Sequence, residues 1–197
     1  MRRSLSLFTF LLIASLPLSA SQFIHQPFDQ VAREASLIVR GTVENSWSAW
    51  DDSHEIIFTY ATVRVSRYFG ETTGPDTIVI REAGGTVDGY TQEAIGFPVI
   101  RSGEEVVLML SPWNEGGAEF RIHAYNQGKY LVKKQAELEI LIEDPVKQGE
   151  GRLGHDREHG PKTNAVDAIA GLGIDEFAQM VDDARADRRR GETSKRQ

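Results

Sequence analysis

Ile56-Ile57-Phe58-Thr59-Tyr60-Ala61-Thr62-Val63-Arg64-Val65-Ser66-Arg67-Tyr68-Phe69 is the stretch on which the fold turns. Ile57, Thr59, Ala61, Val63 and Val65 alternate with Phe58, Tyr60, Thr62, Arg64, Ser66 and Tyr68, the period of two that a strand imposes on its side chains. A run of 14 residues is far longer than the ~5–6 of an ordinary strand. A strand of that length bends around a closed or half-closed barrel and serves two sheets in turn.

Working toward the N-terminus, residues 45–54, with Trp47, Trp50 and the Asp51-Asp52 pair, read as a connecting turn. Before it Leu37, Val39, Gly41 and Val43 alternate with Ser36, Ile38, Arg40, Thr42 and Glu44, a strand with one wholly buried face. Phe28, Val31, Ala32 and Ala35 fall at i, i+3, i+4 and i+7, so residues 27–35 form a short helix.

Toward the C-terminus, residues 70–75 turn the chain and 77–81 form a short strand. Residues 83–104 carry Gly84, Gly85, Gly89, Gly96 and Gly103 and form a long loop with room for a small hairpin. Residues 106–110 are apolar on both faces and belong at the centre of a sheet. After a turn at 113–117, strands follow at 119–125 and 129–133, on either side of Asn126-Gln127-Gly128. In the last strand, 136–142, Ala136, Leu138, Ile140 and Ile142 are expected to face the core, opposite Glu137, Glu139, Leu141 and Glu143.

These readings define a mainly β chain: seven strands forming a small OB-like Greek-key β-barrel, with a short N-terminal helix and a C-terminal helix. A β-sandwich is the alternative. The barrel domain spans 22–143, a polar, Gly-rich flexible loop 144–162, a C-terminal helical segment 163–190 and a disordered tail 191–197. Within the helical segment 165–170 is a short piece, and 175 to about 188 is the longer one, with Phe177, Met180, Val181 and Ala184 on one face. Arg188-Arg189-Arg190 complements the helix dipole at its end or touches anionic lipid.

The N-terminus reads as a signal peptide over residues 1–20. Arg2 and Arg3 precede an uncharged run containing Leu5, Leu7, Phe8, Phe10, Leu11, Leu12 and Ile13, which ends at Pro17 and the small residues Ser19, Ala20 and Ser21. The run is too short for an anchor, and no later one spans a membrane, so the mature protein is expected to be soluble, secreted or periplasmic. The chain of 197 residues has 22 Lys and Arg against 29 Asp and Glu, a formal charge of −7; without Arg2 and Arg3 the basic count falls to 20. So acidic a surface does not suit nucleic acid. With no Cys, a disulfide framework, a thiol nucleophile and thiolate metal sites are excluded. Stability outside the cell then rests on apolar burial, at ~25 cal/mol per Å².

Five further stretches carry a resemblance: Ala35-Ser36-Leu37-Ile38-Val39-Arg40-Gly41-Thr42-Val43, residues 59–65, Arg81 to Gly85 with Gly96-Phe97-Pro98, residues 102–110, and Gln127-Gly128-Lys129-Tyr130. Over roughly residues 30–133 the chain resembles a family of uncharacterised exported bacterial proteins. Their layout in turn looks like the netrin-module and tissue-inhibitor-of-metalloproteinase barrels. The resemblance implies an OB-type barrel that presents loops to a partner. Those inhibitors bind the protease zinc through an N-terminal Cys, and with no Cys here that mechanism does not carry over.

Several patterns bear on chemistry. His155-Asp156-Arg157-Glu158-His159 matches the inverted zinc-protease motif, in which two His at i and i+4 hold zinc and the Glu polarises a bound water. Gly154 and Gly160-Pro161 limit any helix there to about one turn, and the plain reading is a solvated polar loop. No G-x-S-x-G turn is present; His25, His54 and His123 are scattered, and His123 reads as a sheet-face histidine in mid-strand. Asp51, Asp52 and Glu55 beside Trp47 and Trp50 suit a sugar site or a hydrated turn, but lack the spacing of a calcium loop. Gly84, Gly85 and Gly89 are not followed by the Lys-Ser or Lys-Thr of a phosphate loop. They reverse the backbone, or form a rim displaying Tyr90, Gln92 and Phe97. The reading that follows is an exported, non-enzymatic barrel without cofactor that binds a protein partner through Trp47, Trp50, Tyr90, Phe97 and Trp113. A protease as that partner rests on the resemblance. The rivals are a zinc-dependent hydrolase using His155, Glu158 and His159, and a structural envelope protein.

Overall fold

Strands dominate a computed structural model of the chain, which describes residues 26–144 and 169–194. In order, the elements are helix α1 (Phe28–Glu34), strands β1 (Leu37–Trp50), β2 (Ile57–Tyr68), β3 (Thr77–Ala83), β4 (Gly85–Val87), β5 (Tyr90–Gln92), β6 (Glu105–Pro112) and β7 (Glu119–Ile122). A 3-10 turn (Tyr125–Gly128), strands β8 (Lys129–Gln135) and β9 (Leu138–Glu143) and helix α2 (Ile174–Ser194) follow. Residues 1–25, which include the signal peptide expected over 1–20, residues 145–168 with the His155 motif, and residues 195–197 lie outside the described residues.

The long, alternating β1 and β2 do close a barrel. The strand order is β1-β2-β3-β7-β6, and β6 returns to pair with β1. The β3–β7 pair is parallel and its neighbours are antiparallel, so this is a mixed five-stranded closed barrel. Three consecutive strands followed by a fourth lying beside the first make the Greek-key layout. Strand β1 serves both flanks by bending: its register against β2 shifts between Arg40 and Gly41 and again between Val43 and Asn45. Gly41 sits at the bend because a Cβ there would lie 2.5 Å from the Arg64 carbonyl oxygen and 2.7 Å from Val63 Cγ1.

Two cores result. Val39, Val43, Ala61, Val63, Ile78, Ile80, Leu108 and Leu110 fill the barrel. Outside it, Ile38, Val107, Met109, Tyr130 and Leu141 on the sheet meet Phe28, Val31, Phe177 and Val181 from the helices. Strand β6 is apolar on both faces because each face meets a core. Phe177 is the centre of the outer one, with its ring 5.7 Å from Phe28, 5.3 Å from Phe69 and 6.3 Å from Tyr130. Arg185 ties α2 down by donating to the carbonyls of Ala32, Ala35 and Gly70. A second anchor is Lys129, fully buried, whose ammonium donates to the Val99 carbonyl, to Glu104 at 2.7 Å and to Asp144 at 2.9 Å. It fastens the loop before β6 to the end of β9.

Three expectations need correction. Residues 45–50 are strand, not turn; the reversal is confined to 51–56. Turn chemistry begins only at Asp51, whose Oδ1 accepts the N–H groups of Glu55 and Ile56 while Ser53 donates to Oδ2. Those bonds, the Ile56 N–H first, lower its carboxyl to about 2. In β9 the buried residue is Leu141, and Leu138 is 69% exposed. The approach to α2 decides this: Leu141 donates to the Leu172 carbonyl and accepts from the Gly171 N–H, which brings that face under the helix. Strand β7 ends at Ile122 instead of running to 125, because Ala124 and Tyr125 both take left-handed backbone (φ 55° and 57°) into the 3-10 turn. His123 therefore lies beyond the strand's end.

Candidate functional site

Strand register assembles an aromatic face at one end of the barrel. Trp47 on β1 is paired with Tyr60 on β2, and Tyr60 with Arg81 on β3. Side chains at directly paired positions share a face. The Trp47 ring, 42% exposed, stacks on Tyr60 at 5.6 Å with 14° between planes. The Arg81 guanidinium lies 4.0 Å from the Phe58 ring centre, 4.8 Å from that of Trp113 and 5.4 Å from that of Tyr60. Its Nη1 is 3.4 Å from Glu119, while its Nε is buried with no hydrogen-bond partner. Trp113 packs edge-on against Phe58 at 5.3 Å, which leaves it half-buried.

Trp50 is three residues on from Trp47, an odd spacing that puts it on the other face of the β1–β2 ribbon. There the β4–β5 hairpin covers it. Thr59 Oγ1 donates to the Gly84 carbonyl at 2.7 Å, the Ile57 N–H to Gln92 Oε1 at 2.6 Å and the Thr86 N–H to Ser48 Oγ at 3.4 Å. Gly85, at φ 145°, permits this approach, since a Cβ would meet both the Ser48 and Thr59 hydroxyls. The hairpin thereby carries Tyr90, 68% exposed, to within 6.2 Å of Trp50, whose other neighbour at 6.2 Å is His54.

Charge at these tips is one-sided. Residues 45–63 and 83–100 contain no Lys or Arg, but they carry Asp51, Asp52, Glu55, Asp88 and Glu93. Phe97 stands apart from this surface, packed edge-on against Tyr125 at 5.0 Å. Of the five aromatics predicted from sequence, the structure brings Trp47 and Trp113 to one face, through Tyr60, Phe58 and Arg81, and Trp50 and Tyr90 to the other. Phe58, Tyr60 and Arg81 were missed as site residues. The available signal was alternation, which puts Phe58 and Tyr60 opposite the core-facing Ala61 and Val63.

Behind this face a carboxyl is buried. Glu82 points into the barrel with Ile80 and accepts the Ile122 N–H. Burial raises its carboxyl to about 7, against the opposing effects of that hydrogen bond and the Arg121 charge. In the folded chain it therefore keeps its proton to higher pH than in the unfolded chain. Its contribution to stability is complete below about pH 4.5, falls as pH rises toward about 7 and is level beyond. The amide of Glu82→Gln keeps the acceptor and removes the charge. The substitution is expected to raise unfolding stability by about 2–3 kcal/mol at pH 8 and to leave it unchanged at pH 4, which urea unfolding at the two pH values measures.

Among the described residues, no group of three or more His, Cys, Asp or Glu is placed to hold a metal ion. Nor among them is any helix long and apolar enough to cross a membrane. His155, Glu158 and His159 fall outside the described residues. Compared with protein-family models, with curated proteins and with solved structures, the chain matches none. Of the resemblance drawn from its sequence, the structure bears out the small closed barrel with its two flanking helices.

Proposed function

We propose that the chain is an exported binding module that holds a protein partner at the aromatic end of its barrel. One observation carries the reading. The β1–β2 ribbon presents rings on both faces, Trp47 stacked on Tyr60 and Trp50 against Tyr90, with Trp47 and Tyr90 open to solvent. Rigid, solvent-facing aromatics bury large area on binding at low entropic cost. The one-sided charge of the two tips adds the partner's chemistry: a surface bearing Lys or Arg, paired with Asp51, Asp52, Glu55, Asp88 and Glu93 and set over the rings. The leader-like Arg2-Arg3 and apolar run support export. A protease is a partner class within this proposal, through the likeness to inhibitor barrels. Without a Cys, contact falls to the aromatic tips.

Immobilised wild-type chain should retain a partner from culture supernatant or periplasmic extract. Trp47→Ala and Tyr90→Ala are each expected to weaken the captured partner's affinity about 30-fold. Phe97→Ala, away from the tips, should change it less than about threefold. Added salt should weaken binding as screening removes the charge pairing. Equal affinity for wild type and both tip variants would sink the reading.

A further inference from the structure

Where α1 meets the barrel, two residues along the strands from Trp113 and Glu119 of the aromatic face, four side chains form a second constellation. Ser111 and Arg121 are directly paired across β6 and β7, so they share a face. His123, two residues past Arg121, extends that pairing, its N–H donating to the Met109 carbonyl. Ser111 Oγ and His123 Nδ1 are 2.8 Å apart. On the far side of the ring, His123 Nε2 is 3.6 Å from Glu34 Oε2, on the last residue of α1. The His123 side chain is 20% exposed and that of Glu34 49%, while Nε2 itself is buried without a hydrogen-bond partner, so Glu34 acts on the ring through its charge. Ala124 and Tyr125, directly after His123, are consecutive non-glycine residues at positive φ. Backbone of that kind persists where its surroundings dictate it and is common beside functional side chains.

We propose that Ser111, His123 and Glu34 form a nucleophilic relay that cleaves activated carboxylic esters, with Arg121 facing the oxyanion. The carboxylate beyond Nε2 favours the tautomer that carries its proton there, which leaves the Nδ1 lone pair for the Ser111 hydroxyl. Burial lowers the imidazole from its usual value, Arg121 acting with it and Glu34 against it, which favours the neutral ring that a general base needs. Ser111 Oγ bonds to the acyl carbon as its proton passes to Nδ1, and the carbonyl pair moves onto oxygen. When that oxyanion collapses, the bond to the alkoxy group breaks and the leaving oxygen takes the proton from Nδ1. Water then attacks the acyl-Ser111 ester, giving its proton to Nδ1. Collapse of the second oxyanion releases the acid and returns the proton to Oγ. The N–H groups of Trp113 and His123 are committed to the carbonyls of Glu119 and Met109. Charge stabilisation therefore falls to Arg121, and the class of substrate is one with a good leaving group: aryl or other activated esters, not amides.

The test uses the purified chain with 4-nitrophenyl acetate and, separately, with a fluorophosphonate probe followed by peptide mass spectrometry. The phosphonyl adduct should sit on Ser111. Nitrophenolate release should fall about 100-fold in Ser111→Ala and in His123→Gln, and about tenfold in Glu34→Gln. His123→Gln keeps a hydrogen-bond partner for Ser111, and matched circular dichroism shows whether each variant is folded. Should a variant fail to fold, the site of the adduct on wild type decides alone. An adduct elsewhere or nowhere, or equal release by wild type and folded Ser111→Ala, overturns the proposal.

Discussion

Lys129→Met is expected to destabilise the protein by about 3–5 kcal/mol, read as a lower urea midpoint at unchanged slope. Lys129 has no solvent exposure, and its ammonium lies between the Glu104 and Asp144 carboxylates. A buried ion pair adds little net stability compared with a well-packed apolar replacement, because desolvation offsets most of the attraction. Breaking one is different. Without the ammonium, Asp144, nearly as buried as Lys129, and Glu104 lose the positive charge between them. The Val99 carbonyl loses the same donor, and with it the loop that leads into β6 loses one of its anchors, beside those from Ser46 and Val43. Hydrogen exchange should therefore speed first at the described N–H groups near residues 99–104 and 141–144. A second substitution, Asp144→Leu, should recover much of the loss, since Glu104 retains Arg101 at 3.3 Å. Failure of the double variant to recover would mean that Lys129 acts through packing alone.

Phe177→Ala should cost a similar amount, about 3–5 kcal/mol, by opening a cavity in the outer core. Phe177 is fully buried, and Phe28 from α1, Phe69 from the end of β2 and Tyr130 from β8 converge on its ring. The two cores are distinct, one inside the barrel and one between sheet and helices. Exchange protection should accordingly fall in α1 and α2 before it falls in β1, β2 and β3. Uniform loss across both cores would show that barrel and helices unfold as one unit.

The aromatic surface was legible in part. Trp47, Trp50 and Tyr90 stand out in sequence as aromatics beside turn residues and acids. Tyr60, which stacks on Trp47, and Arg81, which lies against Tyr60, do not, because they come from other strands and are brought together only through register. Phe97 shows the converse: it sits in the glycine-punctuated loop that also carries Tyr90, yet the loop packs it on Tyr125 instead. The Ser111, His123 and Glu34 constellation was invisible. Its members come from β6, the end of β7 and α1, and His123 reads as an ordinary strand residue until Ala124 and Tyr125 turn the backbone.

By itself the sequence determined a mainly β chain, a long β2 in a small closed barrel, a doubly apolar central strand in β6, and a short helix and a longer one at its ends. Each is a local property: alternation, turn chemistry and helical periodicity act over a few neighbouring residues. Tertiary structure alone decided that β1 continues to Trp50, because β2 offers partners all the way along it, and that β9 buries Leu141, because Leu172 and α2 lie on that side. Alternation tells which residues share a face. Which face is covered depends on what packs against it from elsewhere in the chain.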